Sequence, residues 1–407
     1  MSGGYPAGEG FAEGDPLPLA DAAPGGGVSP GLEARPPAQA TLGTGGHMDG
    51  RSTEDVECSS CGALVGVWDR YCENCGTDLA PPVDSAGTPG YLTECPVCSA
   101  DPEAPQGGIT ADGYCEVCGH KMPSDRDHVP VNLGVLAGLS DRGQRHARNE
   151  DAMALAISRS REKPPVAIAV VCDGVSTSPR PDEASLCAAR AAVRVLLTGA
   201  RMEDDPEQTS RAAVAAAFAA LEQVAGPDGA PACTYASAVV DADSVTVCWL
   251  GDSRVYWLAA AADAAQPAVA PDATTRPVGA AQEWPVSKCL TKDDSLAAEL
   301  VATGLLSEEE AMASPQAHVI TQWLGADFPD YHPHVQRIGL SGPGAVLLCT
   351  DGLWNYRPEA GDLAALALPA GLTSPLDAAT QLVKIANDEG GRDNITAVLV
   401  PFPPSTP

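Results

Sequence analysis

Apolar and polar positions along this chain change period from block to block. Val166 to Cys172, Ser244 to Leu250 and Ala345 to Thr350 are short, nearly unbroken apolar runs bounded by Gly, Asp or Ser, which is the length and punctuation of buried strands. Ala236 to Val240, Asp241-Ala242-Asp243 and Ser244 to Leu250 read as strand, turn and strand. Asp182 to Thr198 and Pro206 to Val224 instead space Ala, Leu and Val at helical intervals, so a helix pair is expected after the first strand. Ser295 to Ser314 and Pro375 to Glu389 read as further helices, the second stopped by Gly390-Gly391, and Asn394 to Val400 as a last buried strand. Ala259 to Trp284 is Ala- and Pro-rich and is expected to be a flexible insertion. Residues 1 to 50 are rich in Gly, Pro and Ala without apolar periodicity and are expected to be disordered.

The strands carry carboxylates at their ends. Val166 to Cys172 runs into Asp173-Gly174, Ser244 to Leu250 into Gly251-Asp252-Ser253-Arg254, and Ala345 to Thr350 into Asp351-Gly352, while Asn149-Glu150-Asp151 and Asp393-Asn394 complete an ordered set. Carboxylates gathered in one cleft repel each other unless cations hold them. Magnesium and manganese prefer oxygen ligands from a few carboxylates and keep several waters, so the set is a candidate two-metal hydrolytic site. Each Asp-Gly alone would read as a turn.

The order and spacing of Ser140-Asp141-Arg142-Gly143, Arg148-Asn149-Glu150-Asp151, Asp173-Gly174, Gly251-Asp252-Ser253-Arg254, Leu290-Thr291-Lys292-Asp293-Asp294-Ser295, Thr350-Asp351-Gly352-Leu353-Trp354 and Arg392-Asp393-Asn394-Ile395-Thr396 resemble the type 2C metal-dependent protein serine/threonine phosphatases of bacterial type, from about Val131 to Pro401. That resemblance implies an α+β fold, with two antiparallel sheets packed as a sandwich and flanked by helix pairs. It also implies two manganese or magnesium ions at one end of the sandwich. Asp173 would bridge both, the Gly174 carbonyl and Glu150 would serve one, Asp351 and Asp393 would hold the other, and Asp252 would contribute to a weaker third. Asp151 would orient water, and hydroxide held between the ions would attack phosphoserine or phosphothreonine in line. Two positions depart from the family pattern. His146, flanked by Arg145 and Arg148, stands where an arginine usually grips the substrate phosphate, and Val175 stands where many eukaryotic members carry a histidine acid. His146 and Arg148 are therefore the expected phosphate contacts, the first of them charged only when its pKa allows.

Charge narrows the partners. The 407 residues carry a net charge of −30, and residues 1 to 130 hold five Lys or Arg against twenty Asp or Glu. Nucleic acid, which needs Lys and Arg to displace counterions, is not an expected partner, whereas a protein partner is allowed. No apolar stretch approaches the roughly 18 residues needed to span a bilayer, and there is no signal-like start, so a cytoplasmic protein without membrane contact is expected.

Eight of the fourteen cysteines form four Cys-x-x-Cys pairs. Cys58, Cys61, Cys72 and Cys75 make one quartet and Cys95, Cys98, Cys115 and Cys118 another, each with the spacing of a closed, structural zinc site. Two zinc-ribbon modules are thus expected, at 54–82 and 90–122, after a disordered segment 1–53 and before a linker 123–130 and the phosphatase-like domain 131–403. Arg70 is the one basic residue between Cys58 and Cys118, which favours protein contact through Trp68, Tyr71 and Tyr91. Cys172, Cys187, Cys233, Cys248, Cys289 and Cys349 are expected to be small buried hydrophobes. His120, His318, His332 and His334 have no ligand partner visible in the sequence. The leading reading is a phosphatase of phosphorylated proteins; the competing ones are a catalytically weak phosphoprotein-binding regulator and a zinc-ribbon adaptor.

Overall fold

The computed structural model describes residues 55–57, 64–66, 83–85, 95, 98, 108–110, 114–120, 122, 124–160, 163–227, 229–260, 286–314 and 319–404. The expected disordered segment 1–53, the first cysteine quartet with Trp68, Tyr71 and Tyr91, His318, and nearly all of the 259–284 insertion lie outside the described residues.

Along the chain come β1 (Asp55–Glu57), β2 (Leu64–Gly66), β3 (Val83–Asp84), β4 (His128–Asn132), β5 (Ala137–Asp141), β6 (Ala152–Ser158) and β7 (Val166–Cys172). The helix pair α1 (Pro181–Met202) and α2 (Pro206–Val224) follows, then β8 (Ala232–Cys233), β9 (Tyr235–Val240), β10 (Ser244–Leu250), β11 (Arg254–Ala259) and β12 (Lys288–Cys289). After α3 (Leu296–Ala302) and α4 (Glu308–Met312) come β13 (Leu324–Gly325), β14 (His334–Gly339), β15 (Gly344–Cys349), α5 (Asp351–Trp354), α6 (Ala360–Gly371), α7 (Pro375–Asp388) and β16 (Ile395–Phe402). One six-stranded sheet has the order β14-β10-β9-β7-β6-β3 and the other β12-β11-β15-β16-β5-β4, with antiparallel neighbours throughout.

The apolar runs are continuous rather than alternating because both faces of the strands are covered. In β6, Met153, Leu155 and Ile157 face the layer between the sheets, where they meet Val171, Val247, Val255, Val346 and Val398. Ala152, Ala154 and Ala156 point the other way, onto Ala184, Ala188 and Ala192 of α1. In β16, Val398, Val400 and Phe402 join the central layer while Ile395, Ala397 and Leu399 meet α6 and α7. Alanine on both sides of a helix–sheet contact lets the backbones approach closely, which explains how a chain with 4% aromatic residues still closes its core.

The segment read as one helix over 295–314 is two. Gly304 sits at φ +70, and Ser307 opens α4 with a capping box on Glu310, so the chain turns between α3 and α4. The expectation for the cysteines also needs correction: Cys172, Cys233, Cys248 and Cys349 are buried, but Cys187 is only half-buried and Cys289 is exposed on the short edge strand β12.

Candidate active site

Strand register brings the acidic motifs to one end of the sandwich. Ala152 pairs with Cys172, Leu250 with Tyr235, Cys349 with Ala397 and Ile395 with Asp141, so the residues just outside these pairs, Asp151, Asp173, Asp252, Asp351 and Asp393, gather at the same rim. Glycines let the rim close. A Cβ on Gly174 would lie 2.8 Å from the carbonyl oxygen of Glu150 and 2.4 Å from that of Pro181, and one on Gly352 would lie 1.9 Å from the carbonyl oxygen of Asn394. The Asp-Gly pairs are therefore sites of backbone-to-backbone approach between acidic segments.

Asp151 is fully buried, and its Oδ2 accepts hydrogen bonds from Thr350 Oγ1 and Thr396 Oγ1, both at 2.8 Å. Asn394 staples three segments: its Oδ1 accepts from Glu150 N at 2.7 Å, and its Nδ2 donates to the carbonyls of Arg142 at 2.8 Å and Arg148 at 3.0 Å. Glu150 Oε1 accepts from Arg148 Nε at 2.9 Å and Oε2 from Ser176 Oγ at 2.6 Å. The Asp252 backbone carbonyl accepts from Trp354 Nε1 at 2.9 Å, and the Arg254 guanidinium lies 3.7 Å over the Trp354 ring while it grips Asp293 with two bonds.

The carboxylates sense one another. Burial pushes the Asp173 carboxyl well above the usual range, and Asp151, Asp351, Asp393 and Asp252 push it further. Burial raises Asp151 to about 8, against the opposing bonds from Thr350 and Thr396, and Asp351 to about 7, with Asp393 adding to each. Asp252 is raised by burial and then by Asp351 and Asp293. Asp173 and Asp351 still reach the cleft surface, so for them the mutual repulsion is the more telling cause. Oδ1 of Asp151 and Oδ1 of Asp351 are buried with no hydrogen-bond partner. A hard divalent cation would relieve both the repulsion and the unpartnered oxygens, so this donor set fits manganese or magnesium.

His146 and Arg148 are both engaged with acidic residues of the rim. His146 Nε2 lies 3.1 Å from Asp393 Oδ1, and Arg142 Nη1 donates to the His146 carbonyl. Arg148, half-exposed, spans Glu150 and, at 3.6 Å, Asp182. Arg126, in the stretch expected to be a linker, reaches back to the rim. Its Nη2 donates to the Asp151 carbonyl at 2.8 Å and its Nη1 to the Asp182 carbonyl at 2.9 Å, while Asn149 Nδ2 donates to the Arg126 carbonyl. An Arg beside Asp127 and Asp125 in a polar stretch gives no signal of burial. Of the histidines, His334 stacks on Trp249 and contacts Asp294 at 2.8 Å, His332 contacts Asp330, and the His120 carbonyl accepts from Cys115 N. A cavity of about 480 Å³ lies at the far end of β6, lined by Ser158, Lys163 and Arg337, and is remote from the carboxylates.

The profile of the family described as protein phosphatase 2C matches residues 141–399, the span that holds every rim carboxylate. The chain belongs to the protein phosphatase 2C family. It is 27% identical over 267 residues to a serine/threonine phosphatase stp of Listeria innocua, a match covering 64% of this chain and 93% of that protein. It is 38% identical over 113 residues to the protein phosphatase PhpP of Streptococcus pneumoniae, covering 27% of this chain and 44% of that one. The solved structure of the serine/threonine phosphatase Stp1 from Staphylococcus aureus superposes with a TM-score of 0.50 at 23% identity over 66% of this chain and 94% of its own, a likeness of fold. The sandwich with flanking helix pairs expected from the sequence is the fold this family member adopts.

A second cluster lies apart from the rim. Cys95, Cys98, Cys115 and Cys118 bring their sulfurs within 4.8 Å of one another, with Cys95 to Cys118 at 3.6 Å and Cys98 to Cys115 at 3.7 Å. A disulfide would need about 2 Å, whereas four sulfurs at about 2.3 Å from one tetrahedral ion stand about 3.8 Å apart. Backbone N–H groups of Cys118 and Val117 aimed at the Cys115 sulfur pull its thiol down to about 7, while hydrogen bonding to Cys118 and then burial hold Cys98 up at about 12. Cys115 N donates to His120 O and Gly119 N to Cys115 O, closing a tight turn around the sulfur.

Proposed function

We propose that this chain hydrolyses phosphoserine and phosphothreonine in proteins. The observation that carries the reading is the rim of Asp151, Asp173, Asp252, Asp351 and Asp393, mutually repelling and with unpartnered buried oxygens, in a member of the protein phosphatase 2C family. Asp173, Asp351, Asp393, Glu150 and the Gly174 carbonyl would hold two manganese or magnesium ions, with Asp252 available to a weaker third. Bound there, the ions would supply charge that acidifies a water and neutralises phosphate oxygens. The protein's own part is positional. Thr350 and Thr396 fix the Asp151 carboxylate so that its other oxygen can orient a bound water. Arg148 presents its guanidinium, about half-exposed, beside Glu150, where it can bind phosphate oxygens. His146, released from Asp393 when that carboxylate takes up another partner, can donate Nε2–H to phosphate.

The Cys95, Cys98, Cys115 and Cys118 quartet would hold one structural zinc; its sulfur spacing supports this, and Cys58, Cys61, Cys72 and Cys75 repeat its paired Cys-x-x-Cys pattern with a shorter stretch between the pairs. We also propose phosphorylated proteins as partners rather than nucleic acid, contact of the cysteine modules with a protein, cytoplasmic residence, and a phosphatase domain over 131–403. Among the described residues no helix is long and apolar enough to cross a membrane. The decisive experiment is turnover of a phosphothreonine peptide by the whole chain with manganese, magnesium or chelator. Activity that survives excess chelator, or Asp173→Ala, would refute the reading.

A further inference from the structure

The stretch that carries the four thiols enters and leaves on the same catalytic strand. On entry, β3 pairs with β6 through Val83 with Leu155 and Asp84 with Ala154. Ser85, 1% exposed, then donates its N–H to the Met153 carbonyl at 3.0 Å and accepts from Met153 N through Oγ at 2.9 Å. Arg190 of α1 locks the entry with two bonds to the Asp84 carboxylate, at 2.6 and 3.2 Å. On exit, Met122 is buried with Cys95 and Cys115, and four residues later Arg126 bonds the carbonyls of Asp151 and Asp182. Arg142 N bonds the Asp127 carbonyl at 2.8 Å, and β4 begins directly afterwards. Entry and exit thus seize Met153 of β6 and Asp151, the buried acid that immediately precedes that strand. The four cysteines lie between these two anchors in sequence, and an ion that ties them together shortens the chain whose ends must be held, which lowers the entropy cost of holding them.

We propose that a soft divalent cation bound by Cys95, Cys98, Cys115 and Cys118, zinc by its thiolate set, works as a clamp: it keeps Ser85 seated on β6 and Arg126 on the Asp151 carbonyl, and so sets how tightly the acidic rim takes its own ions. Ser85 and Arg126 are positioning residues that touch no reacting atom. The inference extends the reading above to its regulation, since loss of the soft ion would weaken the binding of the hard ones. It rests on that reading for the rim's binding of manganese or magnesium, and not for turnover.

The test uses the whole chain. Zinc content, hydrogen exchange followed by peptide, and Mn2+ binding by calorimetry are measured for the native protein, Cys98→Ser/Cys118→Ser, Ser85→Ala and Ser85→Thr. The double variant is expected to lose one zinc per chain, to exchange at least ten times faster over 83–85 and 151–157, and to bind Mn2+ at least five times more weakly, with exchange over 345–349 in the other sheet unchanged. Ser85→Ala should keep its zinc yet reproduce the faster exchange, and Ser85→Thr, which retains the oxygen, should restore it. Absence of zinc from these thiols, unchanged exchange and Mn2+ affinity after its loss, or acceleration spread equally over 345–349 would each overturn the clamp. Because none of these measurements uses turnover, a chain that shows them without hydrolysing phosphopeptide would retain the clamp and lose the phosphatase reading.

Discussion

Metal-free protein should become less stable as pH rises from about 5 to about 8, and the cause lies in the rim. An aspartyl side chain ordinarily titrates near 3.8, whereas burial and neighbouring carboxylates put Asp151 at about 8 and Asp351 at about 7. Between those values the unfolded chain releases protons that the folded one keeps. The folded state's advantage is therefore full below pH 4 or so and is lost as pH climbs through the folded values. At about 1.4 kcal/mol per unit, the separation for Asp151 sets a ceiling on the order of 5 kcal/mol. If relaxation of the rim recovers half of it, about 2.5 kcal/mol remains, a fall of roughly 5–10 °C in melting temperature for a domain of this size. A hard cation binds the ionised carboxylates of the folded state alone and should reverse the loss, with an increment that grows with pH. Melting curves in chelator and in manganese across this range measure both effects. A net charge of −30 also destabilises at higher pH by general repulsion, so Asp151→Asn serves as the control and should flatten the slope in chelator. A melting temperature in chelator that is level or rises, or a manganese increment independent of pH, would refute the reasoning.

Gly352→Ala should cost about 1–3 kcal/mol, read as a lower melting temperature, because its Cβ would have to displace the Asn394 carbonyl from 1.9 Å. Thr396→Val removes one of the two hydroxyl donors to Asp151 and should cost about 1–3 kcal/mol by denaturant unfolding in chelator, more at high pH because the lost bond favours the charged carboxylate. Replacement of His146 by Arg, a permanently charged and bidentate donor, should lower KM for a phosphothreonine peptide. Kinetics indifferent to both His146→Arg and His146→Ala would assign phosphate contact to Arg148 or Arg145 instead.

The rim was legible because two signals coincide. A buried strand advertises itself as an apolar run, and Asp173, Asp252 and Asp351 follow such runs at once, so position in the fold and chemistry are written side by side. The helix pair at α1 and α2 was legible for the same reason, since its periodicity is long. Val83 and Asp84 carried no such signal: a two-residue strand has no period, and these residues fall between the expected cysteine modules at 54–82 and 90–122. Arg126 was hidden by the opposite problem, a charge among charges whose burial depends on a partner far away in sequence. The break between α3 and α4 had a visible cause in Gly304 and Ser307, but apolar spacing across 295–314 outweighed it in the reading.

The strand at Val83–Asp84 has another consequence, for solubility. Every residue of β6 is buried, and among the described residues β3 is what covers its outer edge. A fragment beginning at residue 131 would leave Ala152–Ser158, Ala-Met-Ala-Leu-Ala-Ile-Ser, as an uncharged apolar border with free N–H and C=O groups, the kind of border to which other chains add strands. Residues 83–85 therefore act as a built-in guard against self-association, and a fragment that begins at 83 should stay monodisperse at concentrations where one that begins at 131 forms aggregates.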